Sequence, residues 1–70
     1  MTAEEYRAAI RALGLNQTTA GTFLGVNPVT SRRRALGAVK VPPEAAMLLR
    51  LMLAMKLTPA KVEEWLKDAR

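Results

Sequence analysis

Arg32, Arg33, Arg34 and Lys40 are the only charged side chains between residues 12 and 43. A guanidinium can donate two parallel hydrogen bonds, which suits a phosphate or the O6 and N7 edge of guanine. Gln17, Thr18 and Thr30 lie in the same acid-free stretch. They add short hydrogen-bonding groups of the kind that meet a phosphate backbone. This set of side chains recognises a polyanion; it does not make or break bonds. The ordinary alternative for a run of arginines is a solvated basic face.

The parts for catalysis are missing. The chain has no His and no Cys, so no imidazole base, thiolate nucleophile or disulfide is available, nor a metal site built on either. No glycine-rich phosphate loop occurs. The pairs Glu4–Glu5 and Glu63–Glu64 are adjacent, so each points to two helix faces and reads as solvated surface. No enzyme activity and no cofactor are expected.

The net charge is +5, and the segment 12–43 carries nearly all of it, because residues 1–11 balance and residues 44–70 leave a small excess. A localised basic patch favours a polyanion partner. Seventy residues suffice for one domain. A domain this small is marginal alone, and with disulfides excluded a partner subunit is the expected support. The opening Thr2-Ala3-Glu4-Glu5 is acidic where a secretory signal is basic. The apolar run from Ala45 to Leu57 is interrupted by Arg50 and Lys56. It also falls short of the ~20 residues that span a bilayer. No membrane association and a cytoplasmic location are expected.

Caps and periodicity predict an all-α chain of five short helices. The first starts at Thr2, where Glu5 completes a capping box, and Gly14 ends it. Tyr6, Ile10 and Leu13 give it one apolar stripe. The second spans about residues 17–24, capped by Asn16 and stopped by Gly25. The third spans about 28–36; Asn27 caps it, Pro28 suits its first position, and Gly37 ends it. The fourth spans about 43–56 and is apolar on nearly every side, through Met47, Leu48, Leu49, Leu51, Met52, Leu53 and Met55. The fifth spans about 59–69, with Val62, Trp65, Leu66 and Ala69 on one stripe. A helix apolar all round is buried on more than one side. A homodimer through Met52, Met55, Leu57, Val62, Trp65 and Leu66 is therefore expected.

The stretch from Gln17 to Gly37 joins two short helices by the turn Gly25-Val26-Asn27, as a helix-turn-helix requires. Gly21 is costly inside a helix, at about 1 kcal/mol relative to Ala. It is explained if the third helix crosses closely there. The run Leu15-Asn16-Gln17, then Phe23-Leu24-Gly25-Val26-Asn27, then a polar helix ending at Gly37, resembles the Cro/repressor (XRE-like) helix-turn-helix family. The resemblance covers about residues 6–57. It implies a compact five-helix fold of the repressor type and a bacterial or phage transcriptional regulator that binds duplex DNA. By the same resemblance Gln17 meets the DNA backbone, and Asn27, Pro28, Val29, Arg32 and Arg33 enter the major groove.

Two positions depart from that family. Ser31 stands where an aliphatic residue is usual, and Arg34 where an apolar one is common. Both face inward from the third helix. Ser31 is expected to bond back to its own helix, and Arg34 to rest its stem on the core with its head out to a phosphate. The expected DNA-binding set is Gln17, Thr18, Asn27, Pro28, Val29, Thr30, Arg32, Arg33, Arg34 and Lys40. Its expected function is a repressor, acting as a homodimer on a palindromic operator. The rival reading is a protein-interaction module, such as an antitoxin or a phage accessory protein, that binds a partner through the fourth and fifth helices.

Overall fold

Each helix begins where the chain supplies acceptors for its free N–H groups. A computed structural model describes residues 1–68 and shows five helices among them, with no strand. In α1 (Ala3–Ala12) the Thr2 hydroxyl accepts from the Glu5 N–H at 3.1 Å, and the Thr2 N–H donates to Glu5 Oε1 at 2.8 Å. These Thr2 hydrogen bonds, with a smaller contribution from Arg50, hold the Glu5 carboxyl below its ordinary range. In α2 (Gln17–Leu24) the cap is also reciprocal: Asn16 Oδ1 accepts from the Thr19 N–H, and the Asn16 N–H donates to Thr19 Oγ1, both at 2.8 Å. Thr19 thus plays the part usually taken by Glu or Gln. In α3 (Pro28–Leu36) Asn27 Oδ1 accepts from the Thr30 N–H at 2.8 Å. Helix α4 (Pro43–Met55) starts at Pro42 without a side-chain cap. In α5 (Pro59–Asp68) the Thr58 hydroxyl accepts from the Lys61 N–H at 3.1 Å.

The helix ends follow the expected boundaries with one small difference. Helix α4 stops at Met55, and Lys56 is its cap, at φ 55°. That left-handed conformation is strained for a residue with a Cβ. The tail of the apolar stripe on α5, Ala69, lies outside the described residues.

Helix α1 occupies the centre and packs against α2, α3 and α4. Of the ten buried hydrophobic residues, five are alanines: Ala9, Ala20, Ala35, Ala45 and Ala46. The helices therefore approach closely, and each burial contributes little area. Large side chains enter the interior at few points, chiefly Tyr6, Leu49 and Met52, all fully buried. Burial of one such side chain stabilises by about 1.5–3 kcal/mol.

The tightest crossing lies between α2 and α3. A Cβ on Gly21 would stand 3.1 Å from Ser31 Cβ, 3.1 Å from the Val26 carbonyl oxygen and 3.3 Å from that of Asn27. Two of those neighbours are backbone in the turn and cannot yield without moving it. The costly glycine is thus explained by close approach. The turn itself uses Gly25 at φ 77°, and the Val26 N–H closes it onto the Gly21 carbonyl at 2.8 Å.

Ser31 does something other than bond back to its helix. Its hydroxyl is hydrogen-bonded to the Tyr6 hydroxyl at 2.9 Å, and both residues are fully buried. A buried Tyr needs a partner for its O–H, and only a small residue fits opposite Gly21. Serine meets both conditions where an aliphatic side chain would meet neither. Arg34 is also largely buried, at 8% exposed, and its Nε is enclosed in the packing. Met52 is a core residue of α4, not an exposed one, because its side chain faces the first helix and the bend after α4.

Ser31→Ala leaves the Tyr6 hydroxyl buried without a partner and is expected to destabilise by about 1–3 kcal/mol. Adding Tyr6→Phe to that variant removes the orphan and recovers most of the loss. Urea unfolding of the two single variants and the double variant measures the coupling; strictly additive losses would show that the hydrogen bond carries no weight.

Candidate nucleic-acid interface

Helix α3 divides cleanly by its own period. Ser31, Arg34 and Ala35 are buried, whereas Val29, Arg32, Arg33 and Leu36 are exposed. The exposed four stand at i, i+3, i+4 and i+7, so they form one continuous face. Two guanidinium groups occupy its centre, with an apolar residue at each end. Asn27 and Pro28, at the start of the helix, are exposed too. Thr30 is half-buried, and its N–H is already held by the Asn27 side chain.

The face is held from behind by α1 and α2. Tyr6 grips Ser31, and the Arg7 guanidinium donates to the Ala35 carbonyl near the end of α3. Gly21 lets α2 sit directly against the middle of the helix. A recognition surface needs rigid support of this kind if its side chains are to keep one register against a target.

Gln17, the first residue of α2, is half-buried and borders a recess shared with Arg7, Arg11 and Leu15. Thr18 is exposed beside it. Arg11 was not expected here. Its charge is hidden in the sequence because residues 1–11 sum to neutrality, yet Arg11 lies near the end of α1 and borders the same recess as the start of α2. A helix start with free N–H groups and an adjacent guanidinium suits a phosphate. The i, i+4 spacing of Arg7 and Arg11 was the available signal. Lys40 is exposed in the loop after α3.

Of the ten residues expected at the interface, nine are exposed or half-buried and Arg34 alone is buried, at 8% exposed. It lies in a groove between α2, α3 and α4, among Phe23, Leu24, Pro42 and Leu48. Of the residues expected between subunits, Met55, Trp65 and Leu66 are about half exposed or more, Leu57 and Val62 are half-buried, and Met52 is withdrawn. Val62 and Leu66 also border an open cleft with Thr22, Phe23 and Leu48. Lys61 Nζ lies 5.8 Å from the centre of the Trp65 ring, near enough for a weak cation–π attraction.

Among the described residues no cluster of three or more His, Cys, Asp or Glu could hold a metal ion. None of their helices is long and apolar enough to cross a membrane. Among the described residues the chain is all-α, with five helices and no strand. Comparison with family models, characterised proteins and solved structures finds no significant match to it.

Arg32→Ala and Arg33→Ala, on the exposed face, are expected to change stability by less than about 0.5 kcal/mol. Thermal unfolding checks this. A loss of several degrees in either variant would make that arginine part of the fold rather than of a free surface.

Proposed function

We propose that this chain is a sequence-specific duplex-DNA-binding transcriptional regulator of the cytoplasm, a repressor that acts as a homodimer on a palindromic operator. The observation that carries the reading is the exposed α3 face, with Arg32 and Arg33 at its centre and no acid between residues 12 and 43. An α-helix fits the major groove, and Arg is the commonest reader of guanine there. Val29 and Leu36 are placed to meet thymine methyls. Gln17, Thr18, Arg11 and Lys40, all with free surface, serve as phosphate contacts. Arg34 is not part of the exposed α3 face, because it is largely buried and borders the groove with Phe23, Pro42 and Leu48. Single-stranded RNA is disfavoured, since its readers stack bases on exposed aromatic residues. The α3 face has none, and Tyr6 is fully buried.

Selection from a random duplex pool, followed by a salt titration of the selected site, tests the reading. Log affinity against log salt is expected to fall with a slope of about −0.9 for each phosphate neutralised. Arg32→Ala or Arg33→Ala is expected to cost about 1–3 kcal/mol and relax the preference at one base pair. Gln17→Ala or Lys40→Ala weakens all sequences alike. A slope near zero removes the DNA reading, and an unchanged consensus in both arginine variants removes α3 as the reader.

The homodimer is supported by apolar surface that the chain leaves uncovered. Met47 is 70% exposed, Met55 59%, Leu66 52%, Leu51 51% and Trp65 49%. A second copy would cover the end of α4 and α5, through Met55, Leu57, Val62, Trp65 and Leu66, with the same patch on its own surface. It would also set two α3 faces about one helical turn of DNA apart, ~34 Å. The same exposure favours the rival reading, a protein-interaction module that takes a different chain on α4 and α5. Sedimentation equilibrium separates them. A dimer at micromolar concentration that Trp65→Ala shifts towards monomer supports the repressor. A monomer both free and with selected DNA overturns the dimer.

A further inference from the structure

We propose that Trp65 of one copy of the chain seats in the cleft between α2, α4 and α5 of a second copy, and that the second copy's Trp65 seats in the first in return. This seat rests on the homodimer reading and adds what each subunit inserts, and where.

The cleft is a recess rather than a flat patch. Phe23 from α2, Leu48 from α4, and Val62 and Leu66 from α5 supply its apolar walls, and its volume is about 660 Å³. Phe23, Leu48 and Val62 are half-buried and Leu66 is exposed, so the chain's own side chains leave the space unfilled. Close packing joins α1, α2, α3 and α4, and α5 takes little part in it. Apolar walls left to solvent favour any large apolar side chain that reaches them.

The chain carries one such side chain, and it does not fill its own cleft. Trp65 is the single tryptophan and is 49% exposed. Val62, Glu63, Leu66 and Lys67 are the residues that α5 turns to the cleft, and Trp65 is not among them. The helical period puts it on a different face. One helix cannot turn both faces to the same recess, so an indole that fills it comes from another molecule. Two-fold symmetry makes the exchange reciprocal.

Charge selects a second copy as the partner. Lys61 and Lys67 balance Glu63 and Glu64, so this stretch of α5 is neutral in a chain of net charge +5. Two copies can meet here without the repulsion that two α3 faces would bring, each with Arg32 and Arg33 exposed. A strongly acidic or basic partner finds no excess of opposite charge to hold. Area favours insertion over a flat contact. Helix α5 has ten residues and is about 15 Å long. Two such helices laid side by side fall well short of the ~800 Å² per subunit of a typical stable interface. An indole sunk into the cleft adds its own surface and that of Phe23 and Leu48. Phe23 lies just before the Gly25 turn, on the helix that α3 crosses at Gly21. The seat therefore bears on the helix that supports the α3 face.

The single tryptophan gives a direct readout without DNA. Dilution of the unmodified chain is followed by sedimentation equilibrium and by Trp65 emission. The emission is expected to move to longer wavelength as dimer gives way to monomer, with one midpoint in both measurements. Trp65→Ala removes the inserted ring and keeps the cleft. Thr22→Arg, at an exposed position on the α2 wall, obstructs the cleft and keeps the ring. Each variant alone is expected to dimerise at least about tenfold more weakly. Mixed, they restore one of the two seats. The mixture is then expected to associate more tightly than either variant alone, and adding the Trp65→Ala chain moves the emission of the Thr22→Arg chain to shorter wavelength. A monomer at micromolar concentration removes the homodimer, and the seat with it. A dimer whose emission ignores dilution, or variants that gain nothing on mixing, would leave the dimer standing and overturn the seat.

Discussion

The hydrogen bond between Tyr6 and Ser31, buried where α1 meets α3, sets the position of everything that faces outward from α3. A tyrosine cannot enter a small core without a partner for its hydroxyl, and the partner has to sit on whichever helix lies opposite. Because Ser31 supplies it, α3 is fixed in rotation about its axis: Ser31, Arg34 and Ala35 turn inward, and the residues about half a turn away turn outward. The same serine is small enough to lie against Gly21, so one residue settles both the rotation of α3 and its distance from α2. Arg7, donating to the Ala35 carbonyl, ties the other end of the helix to α1.

A core made so largely of alanine has consequences beyond this crossing. Small side chains let the first four helices pack closely, but they bury little area each, and the apolar residues with most area are left elsewhere. Met47, Leu51, Met55, Trp65 and Leu66 lie on the outside of α4 and on α5. The packed unit is built on α1 to α4, and α5 borders it across an open cleft. Apolar surface of this kind invites a partner. The domain therefore divides its labour by surface: a polar, basic face on α3, an apolar flank on α4 and α5, and between α2, α3 and α4 a groove with a buried charge.

Much of this was legible in the sequence because it is encoded locally. Asn27-Pro28 and Gly37 bracket α3, Thr2 with Glu5 opens α1, and Gly25 marks the turn; each of these signals acts within a few residues of itself. The acid-free segment 12–43 also needs no fold to be seen. Charges brought together from different helices are harder to see. Arg11 was hidden by the acids that precede it, since a sum along the chain cannot tell which side chains face the same way.

What the sequence by itself determined was the number, the limits and the handedness-breaking turns of the helices, because caps, prolines and glycines act through the backbone next to them. It also determined that α4 and α5 carry more apolar surface than one small core can take. The tertiary structure alone decided the fate of the polar residues that face inward. Ser31 and Arg34 stand three residues apart on one helix, and both were expected to find partners nearby or outside. Ser31 found a hydroxyl 25 residues away in sequence, and Arg34 came to line a groove beside an uncapped helix start. Met52 went to the core while Met55, one turn later, stayed exposed. A helical period states which residues share a face; only the packing of neighbouring helices states what that face meets, because burial depends on contacts between segments far apart in the chain.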